Sequence, residues 1–204
     1  LRNFQLPGRS AVFATNGLCA TSHPLAAKIA IDILQAGGNA ADAAIAGAVV
    51  LGICEPQMTG LGGDCFALVK PAGDERIVAL NGSGRAPKGL SAAGMRVRGL
   101  SAVPVYGPEA VTIPGAVDAF CHLAADWGSL PLTQTLAPAI RYAEEGVPVA
   151  PRTARDWAEA AENLQGDARR YYLLRGAAPR IGQVFRAPGQ AEVLRRVAAE
   201  GRAG

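Results

Sequence analysis

Arg85 carries the clearest chemical potential in this chain. It sits in Asn81-Gly-Ser-Gly-Arg-Ala-Pro87, a polar, glycine-spaced loop that leaves the apolar run Arg76–Asn81. Such a loop at a sheet edge frees backbone amides, and a guanidinium offers a planar donor fork that matches a carboxylate. Residue types alone leave this role level with that of a surface turn carrying a solvated arginine. A second glycine turn, Thr59-Gly-Leu-Gly-Gly-Asp64, superficially resembles a phosphate cradle. It lacks the Lys-Ser/Thr and the following helix of a P-loop, and it leads into a strand pattern, so it is read as a tight backbone crossing. Cys19, Cys54, Cys65 and Cys121 form no Cys-x-x-Cys pair and lie in apolar surroundings. They are expected to be buried and reduced, with no metal and no cofactor. His122 has no acid or nucleophile assignable to it and is expected to be a packed or surface residue.

These groups must be positioned by the stretch Leu34–Asp64. Between Asn39 and Cys54 the only charge is Asp42, and the alanine- and glycine-rich sequence can press its backbone against neighbours on several sides. The uncharged run Ala43–Cys54 is 12 residues, short of the ~20 that a bilayer span needs. It predicts a buried central helix over 39–54, capped by Asn39 and ended by Glu55-Pro56. A preceding helix over 24–36 is signalled by Ser22-His23-Pro24 and stopped by Gly37-Gly38. Asp64–Val69 and Arg76–Asn81 predict two antiparallel strands around the Pro71–Glu75 loop. Ala11–Thr15 and Leu18–Thr21 flank Asn16-Gly17 and predict a hairpin. Residues 1–9 predict an arm, 88–108 an irregular stretch, and Ala110–Ile113 a short strand. Helices are expected near 115–127, 132–145, 152–164 and 189–200, the last two in a polar extension.

The 204-residue chain is 50% hydrophobic with 25 glycines, which fits a globular core with many loops. A net charge of +3 and 5% aromatic content exclude a dense basic stripe with stacking rings, so nucleic acid is not an expected partner. No membrane partner is expected either. The stretch Leu1–Val12 contains no apolar signal-peptide core, which leans cytoplasmic; removal of a signal from a periplasmic or secreted protein is the alternative.

Taken in order, Ala20–Ala26 (ATSHPLA), Ala36–Ala46 (AGGNAADAAIA), Glu55–Asp64 (EPQMTGLGGD), Ala86-Pro87, Ile113–Val117 (IPGAV) and Leu136–Val149 resemble the large subunit of the γ-glutamyltranspeptidase (glutathione hydrolase) family. The likeness is greatest to the glutathione-hydrolase-like branch whose loop reads NxSGRAP. The resemblance implies an α+β chain, part of the αββα sandwich of N-terminal nucleophile hydrolases. Residues 1–150 would be the core part of the large subunit, and 151–204 a helical extension continuing beyond this sequence.

The resemblance further implies a self-cleaving precursor whose small subunit begins with a nucleophilic threonine. That small subunit would be the partner of this chain, with a small-molecule γ-glutamyl amide as substrate, and heterodimers of this kind can assemble further into homo-oligomers. Thr15, Thr21, Thr59, Thr112, Thr133, Thr135 and Thr153 are all internal, so no catalytic residue is assigned here. The family's large subunit contributes an arginine, in the pattern D/N-x-R-E-x-A-P, that grips the substrate's α-carboxylate. Counting back from Ala86-Pro87, Ser83 stands where that arginine stands, Gly84 replaces the glutamate, and Arg85 lies two residues later. Arg85 and Ser83 are therefore the expected substrate-binding residues. The departure leaves open an acylase for a glutaryl or β-lactam side chain, and a non-catalytic structural subunit.

Overall fold

The computed structural model describes residues 11–204; the arm expected over residues 1–9 lies outside them. Helix α1 (Pro24–Gln35) starts where His23 caps it, Nδ1 accepting from the Leu25 amide at 3.2 Å. Ala26, Ile29, Ala30 and Ile33 form its single buried stripe. The chain then reverses through Gly37, at φ +93°, a conformation that favours glycine. Helix α2 (Ala40–Cys54) is the centre of the molecule, with Ala43, Ile45, Ala46, Val49, Val50 and Ile53 all buried. Its glycine at position 47 leaves the α1 backbone close: a methyl group there would lie 3.6 Å from the Ala26 carbonyl.

The N-terminus of α2 is a reciprocal cap. Asn39 Oδ1 accepts from the amides of Ala41 and Asp42, while the Asp42 carboxylate accepts from the Asn39 amide. Asp42 is fully buried and also accepts from the Ser129 amide, at 3.0 Å. The one charge in the central helix therefore satisfies an amide at its own helix start and one from a distant segment.

Strands β1 (Cys65–Val69) and β2 (Val78–Gly82) pair antiparallel from Cys65↔Gly82 to Val69↔Val78. Cys65, Ala67, Val69 and Leu80 pack on the main core. On the opposite face Phe66 is 63% and Leu68 76% exposed. Alternation has thus placed apolar residues on both faces, the pattern of a strand meant to be covered twice.

Helix α3 (Ala92–Val97), capped by Ser91, interrupts the stretch expected to be irregular. The strand expected over Ala110–Ile113 is instead a 3₁₀ turn, Pro108–Ala110, followed by extended chain bonded to Arg85 through one backbone contact. The hairpin expected over 11–21 is also absent, because a type I′ turn needs positive φ at both central residues. Gly17 has φ +140° and Asn16 is not in the positive region, so the chain opens rather than reverses.

Helix α4 (Ala116–Trp127) packs on α2 and the hairpin. The single helix expected over 132–145 is two, α5 (Leu132–Thr135) and α6 (Ala137–Glu145), because Pro138 has no N–H to donate into a continuous helix and serves as a start instead. A two-residue strand β3 (Val147–Pro148), helices α7 (Pro151–Ala161) and α8 (Asp167–Tyr172), and strand β4 (Val184–Phe185) follow. Pairing of β3 with β4 was not anticipated from the sequence. Trp157 meets Phe185 edge-on at 4.7 Å and donates Nε1–H to the Tyr172 carbonyl at 3.0 Å, forming a small second core. Helix α9 (Pro188–Glu200) turns Ala191, Leu194 and Val197 into the same main core as α2 and α6.

Candidate functional site

Three chain segments cross beyond the end of β2. Asn81 Oδ1 accepts from the Ser83 amide at 3.0 Å, bending the chain as it leaves the strand. Gly84 follows at φ +67°, and the Arg85 carbonyl accepts from the Ile113 amide at 2.9 Å. From the third segment, the Gly63 carbonyl accepts from both Gly115 (3.0 Å) and Ala116 (3.1 Å), fixing the start of α4. Side chains would not fit at this crossing. A methyl group at Gly84 would lie 2.0 Å from the Ile113 carbonyl, and one at Gly115 would lie 2.3 Å from the Gly82 carbonyl.

The crossing borders an open cleft of about 460 Å³ whose polar lining is Asp64, Ser83, Tyr106 and Thr112. Ser83 is half-buried, and Arg85, one residue past the Gly84 bend, is exposed. Among the described residues neither Arg85 nor Asp64 is engaged in an ion pair. Asp64 thus lines a cleft rich in hydroxyls, and Arg85 is not among its lining residues. Larger clefts, about 740 and 660 Å³, lie beside the N-terminus of α1 and along the extended segment before it, away from this loop.

The cysteines are all free. Burial, assisted by Glu55, pushes the Cys54 thiol up to about 12; burial likewise raises Cys65 and Cys121. These three are poor nucleophiles. His23 is buried, and burial lowers its pKa while nearby Glu55 opposes the shift. His122 is half-exposed beside Arg202, whose Nη1 lies 3.2 Å from its Nε2, while Arg202 Nε pairs with Asp118 at 2.5 Å. No group of three or more metal-ligating side chains occurs among the described residues. None of their helices is long and apolar enough to cross a membrane.

Of the two expected substrate-binding residues, Ser83 lines the cleft and Arg85 lies two residues on in the same loop, outside the lining. The structure adds Asp64, Thr112 and Tyr106, which sequence reasoning did not nominate. Asp64 had a usable signal: in a hairpin with Cys65 opposite Gly82, the residue before Cys65 faces Ser83. Thr112 had none, since its place depends on the crossing.

The family model of γ-glutamyltranspeptidase matches residues 26–204. The chain belongs to the γ-glutamyltranspeptidase family. Its curated relatives include the oxamate amidohydrolase proenzyme of Klebsiella pneumoniae, 37% identical over 92% of this chain and 37% of the relative. The glutathione hydrolase-like YwrD proenzyme of Bacillus subtilis is 35% identical over 94% of this chain and 37% of its own length. Among solved structures, cephalosporin acylase from Bacillus halodurans superposes with a TM-score of 0.89 at 44% identity, over 98% of this chain and 39% of that one. The chain therefore spans about two fifths of the length of these relatives. Its α+β fold is that part of the N-terminal nucleophile hydrolase sandwich shared by γ-glutamyltranspeptidases and acylases. Homologues in the γ-glutamyltranspeptidase family are enzymes made as proenzymes.

Proposed function

We propose that these residues are the large-subunit portion of a γ-glutamyl amide hydrolase or transferase, acting on compounds such as glutathione. One observation carries this: the exposed Arg85 stands beside half-buried Ser83 on a loop locked at the end of a hairpin whose outer apolar face is uncovered. The remainder of the precursor supplies the second sheet over Phe66 and Leu68, and the N-terminal threonine. Arg85 pairs with the substrate carboxylate, and Ser83 donates its hydroxyl to the same group. The threonine hydroxyl adds to the γ-carbonyl while its own α-amine takes the proton. The C–N bond then breaks, the amine leaves with that proton, and water or an acceptor amine releases the acyl group.

A second role is favoured by one specific feature. Ser83-Gly84 replaces the family's Arg-Glu, so the carboxylate grip is displaced along the loop, as suits an acyl group other than γ-glutamyl. The 44% identity to a cephalosporin acylase supports this alternative. The test uses the full-length natural protein after maturation, assayed on γ-glutamyl anilide, glutaryl anilide and oxamate. Turnover of the γ-glutamyl substrate, with Arg85→Ala lowering kcat/KM by the ~1.5–3 kcal/mol of a charge-assisted hydrogen bond, supports the first proposal. Turnover of glutaryl anilide or oxamate alone supports the second. An unchanged kcat/KM in Arg85→Ala removes the carboxylate role altogether.

A further inference from the structure

We propose that the cleft between the starts of α1 and α7 and the end of α2 binds an organic cation, a primary ammonium carried on an aliphatic chain. Two segments that amide hydrolysis leaves without a task, Ser22-His23-Pro24 and Glu55–Thr59, meet there. The Ser22 hydroxyl donates to Glu55 Oε2 at 2.6 Å and ties the two together. The cleft holds about 740 Å³, room for a ligand of many atoms and far more than a bare ion needs. Neither Ser83 nor Arg85 lines it, so its occupant does not depend on which acyl group the enzyme cleaves.

The charges on the wall give the ligand its sign. Glu55, Asp156 and Arg152 line the cleft, and Arg152 Nε is committed to Asp156 at 2.6 Å. Glu55 is half-buried and, among the described residues, pairs with no lysine or arginine. It also caps the C-terminal end of α2, where the last carbonyls already carry partial negative charge. His23 supplies no cation near neutral pH, because burial lowers its pKa and its Nδ1 accepts from the Leu25 amide. The first residues of α1 and α7, Pro24 and Pro151, have no N–H to offer an anion. A further acceptor is unmet: Gln57 lines the cleft, and its Oε1 is buried without a donor, which an ammonium N–H would supply on a small rotation of the amide. Pro24, Ala48, Leu51, Met58 and Pro151 add apolar surface against which methylene groups can pack. A lone carboxylate, an unmet amide oxygen and an apolar wall complement an alkylammonium. A carboxylate ligand would meet repulsion there, and an alcohol lacks the charge.

The experiment follows the methyl resonances of isotope-labelled methionines in the matured full-length protein. Met58 lines the cleft and is 72% exposed, and the signal lost in Met58→Leu is its own. Reading at Met58 separates this cleft from any binding of an amine at the catalytic centre. Titration with n-hexylammonium is expected to shift that signal saturably, with n-hexanol and hexanoate binding at least tenfold more weakly. Glu55→Gln keeps the size of the side chain and an acceptor for Ser22 while removing the charge. It should weaken hexylammonium binding tenfold to hundredfold, as loss of a charge-assisted hydrogen bond does. No shift of the Met58 signal with hexylammonium, equal binding of hexanol, or undiminished binding in Glu55→Gln overturns the proposal. Should Glu55→Gln fail to fold, the order of the three probes on the wild type decides. Hexylammonium binding tightest supports the cation site, and hexanol or hexanoate binding as tightly overturns it.

Discussion

Replacing Gly84 by alanine should release the Ser83–Arg85 loop without unfolding the protein. The new methyl group would stand 2.0 Å from the Ile113 carbonyl, about 1 Å inside the nearest approach that real Cβ atoms make. That nearest obstacle is a backbone carbonyl, which cannot swing away as a side chain could. At φ +67°, alanine also bears the left-handed cost of roughly 1–2 kcal/mol. Escape requires breaking the bond from the Ile113 amide to the Arg85 carbonyl, a loss of about 0.5–1.5 kcal/mol. Together these weaken loop docking by about 1.5–3.5 kcal/mol, or roughly tenfold to three-hundredfold in the docking equilibrium. The assay is amide hydrogen exchange at Ile113 in the full-length protein, which should quicken by that factor. The kcat/KM should fall by about a hundredfold as Ser83 and Arg85 lose position. Gly89→Ala is the control, because a methyl group there meets nothing within 4 Å. Unchanged exchange at Ile113 in Gly84→Ala would refute the steric reasoning.

Three further outcomes follow from the core. His23 is buried and its pKa is lowered, so below the ordinary histidine value near 6.5 the unfolded chain takes up a proton that the folded one resists. Stability should therefore fall as pH drops below about 6.5. His23→Asn, which retains an acceptor to cap α1, should remove that slope in urea titrations at several pH values. Asp42→Ala leaves the amides of Asn39 and Ser129 without their carboxylate, a loss of about 2–4 kcal/mol readable as a lower urea midpoint. With its thiol pushed up to about 12, Cys54 should resist iodoacetamide at neutral pH in the folded protein and react on denaturation, as mass labelling would show.

What could be read from the sequence was local. The cap at Asn39, the stop at Glu55-Pro56 and the apolar run between them place α2 within a residue of its observed ends. Pro71–Glu75 likewise located the β1–β2 hairpin. Asn16-Gly17 misled because a turn dipeptide does not fix its own dihedrals; in this chain the segment lies against α1 instead of pairing. Val147 and Phe185 pair across a long sequence separation through only two residues each, too short for any alternation to register. The buried stripe of α9 was visible as Ala191, Leu194 and Val197, but the arginines between them gave it the look of a solvated helix. At the site, residue types brought Ser83 and Arg85 forward. Asp64 required the strand register, and Thr112 required the three-segment crossing, where glycines succeed by lacking side chains.

The uncovered face of the β1–β2 hairpin has a consequence for handling the protein. Cys65-Phe-Ala-Leu-Val69 is uncharged, contains no proline, and belongs to a sheet that has two strands among the described residues. Such a segment, with an edge that no other described strand pairs and aromatic and aliphatic groups facing water, is a template for strand addition between chains. Produced by itself, this 204-residue stretch would self-associate through that hairpin. Its solubility would report directly on whether that face is covered.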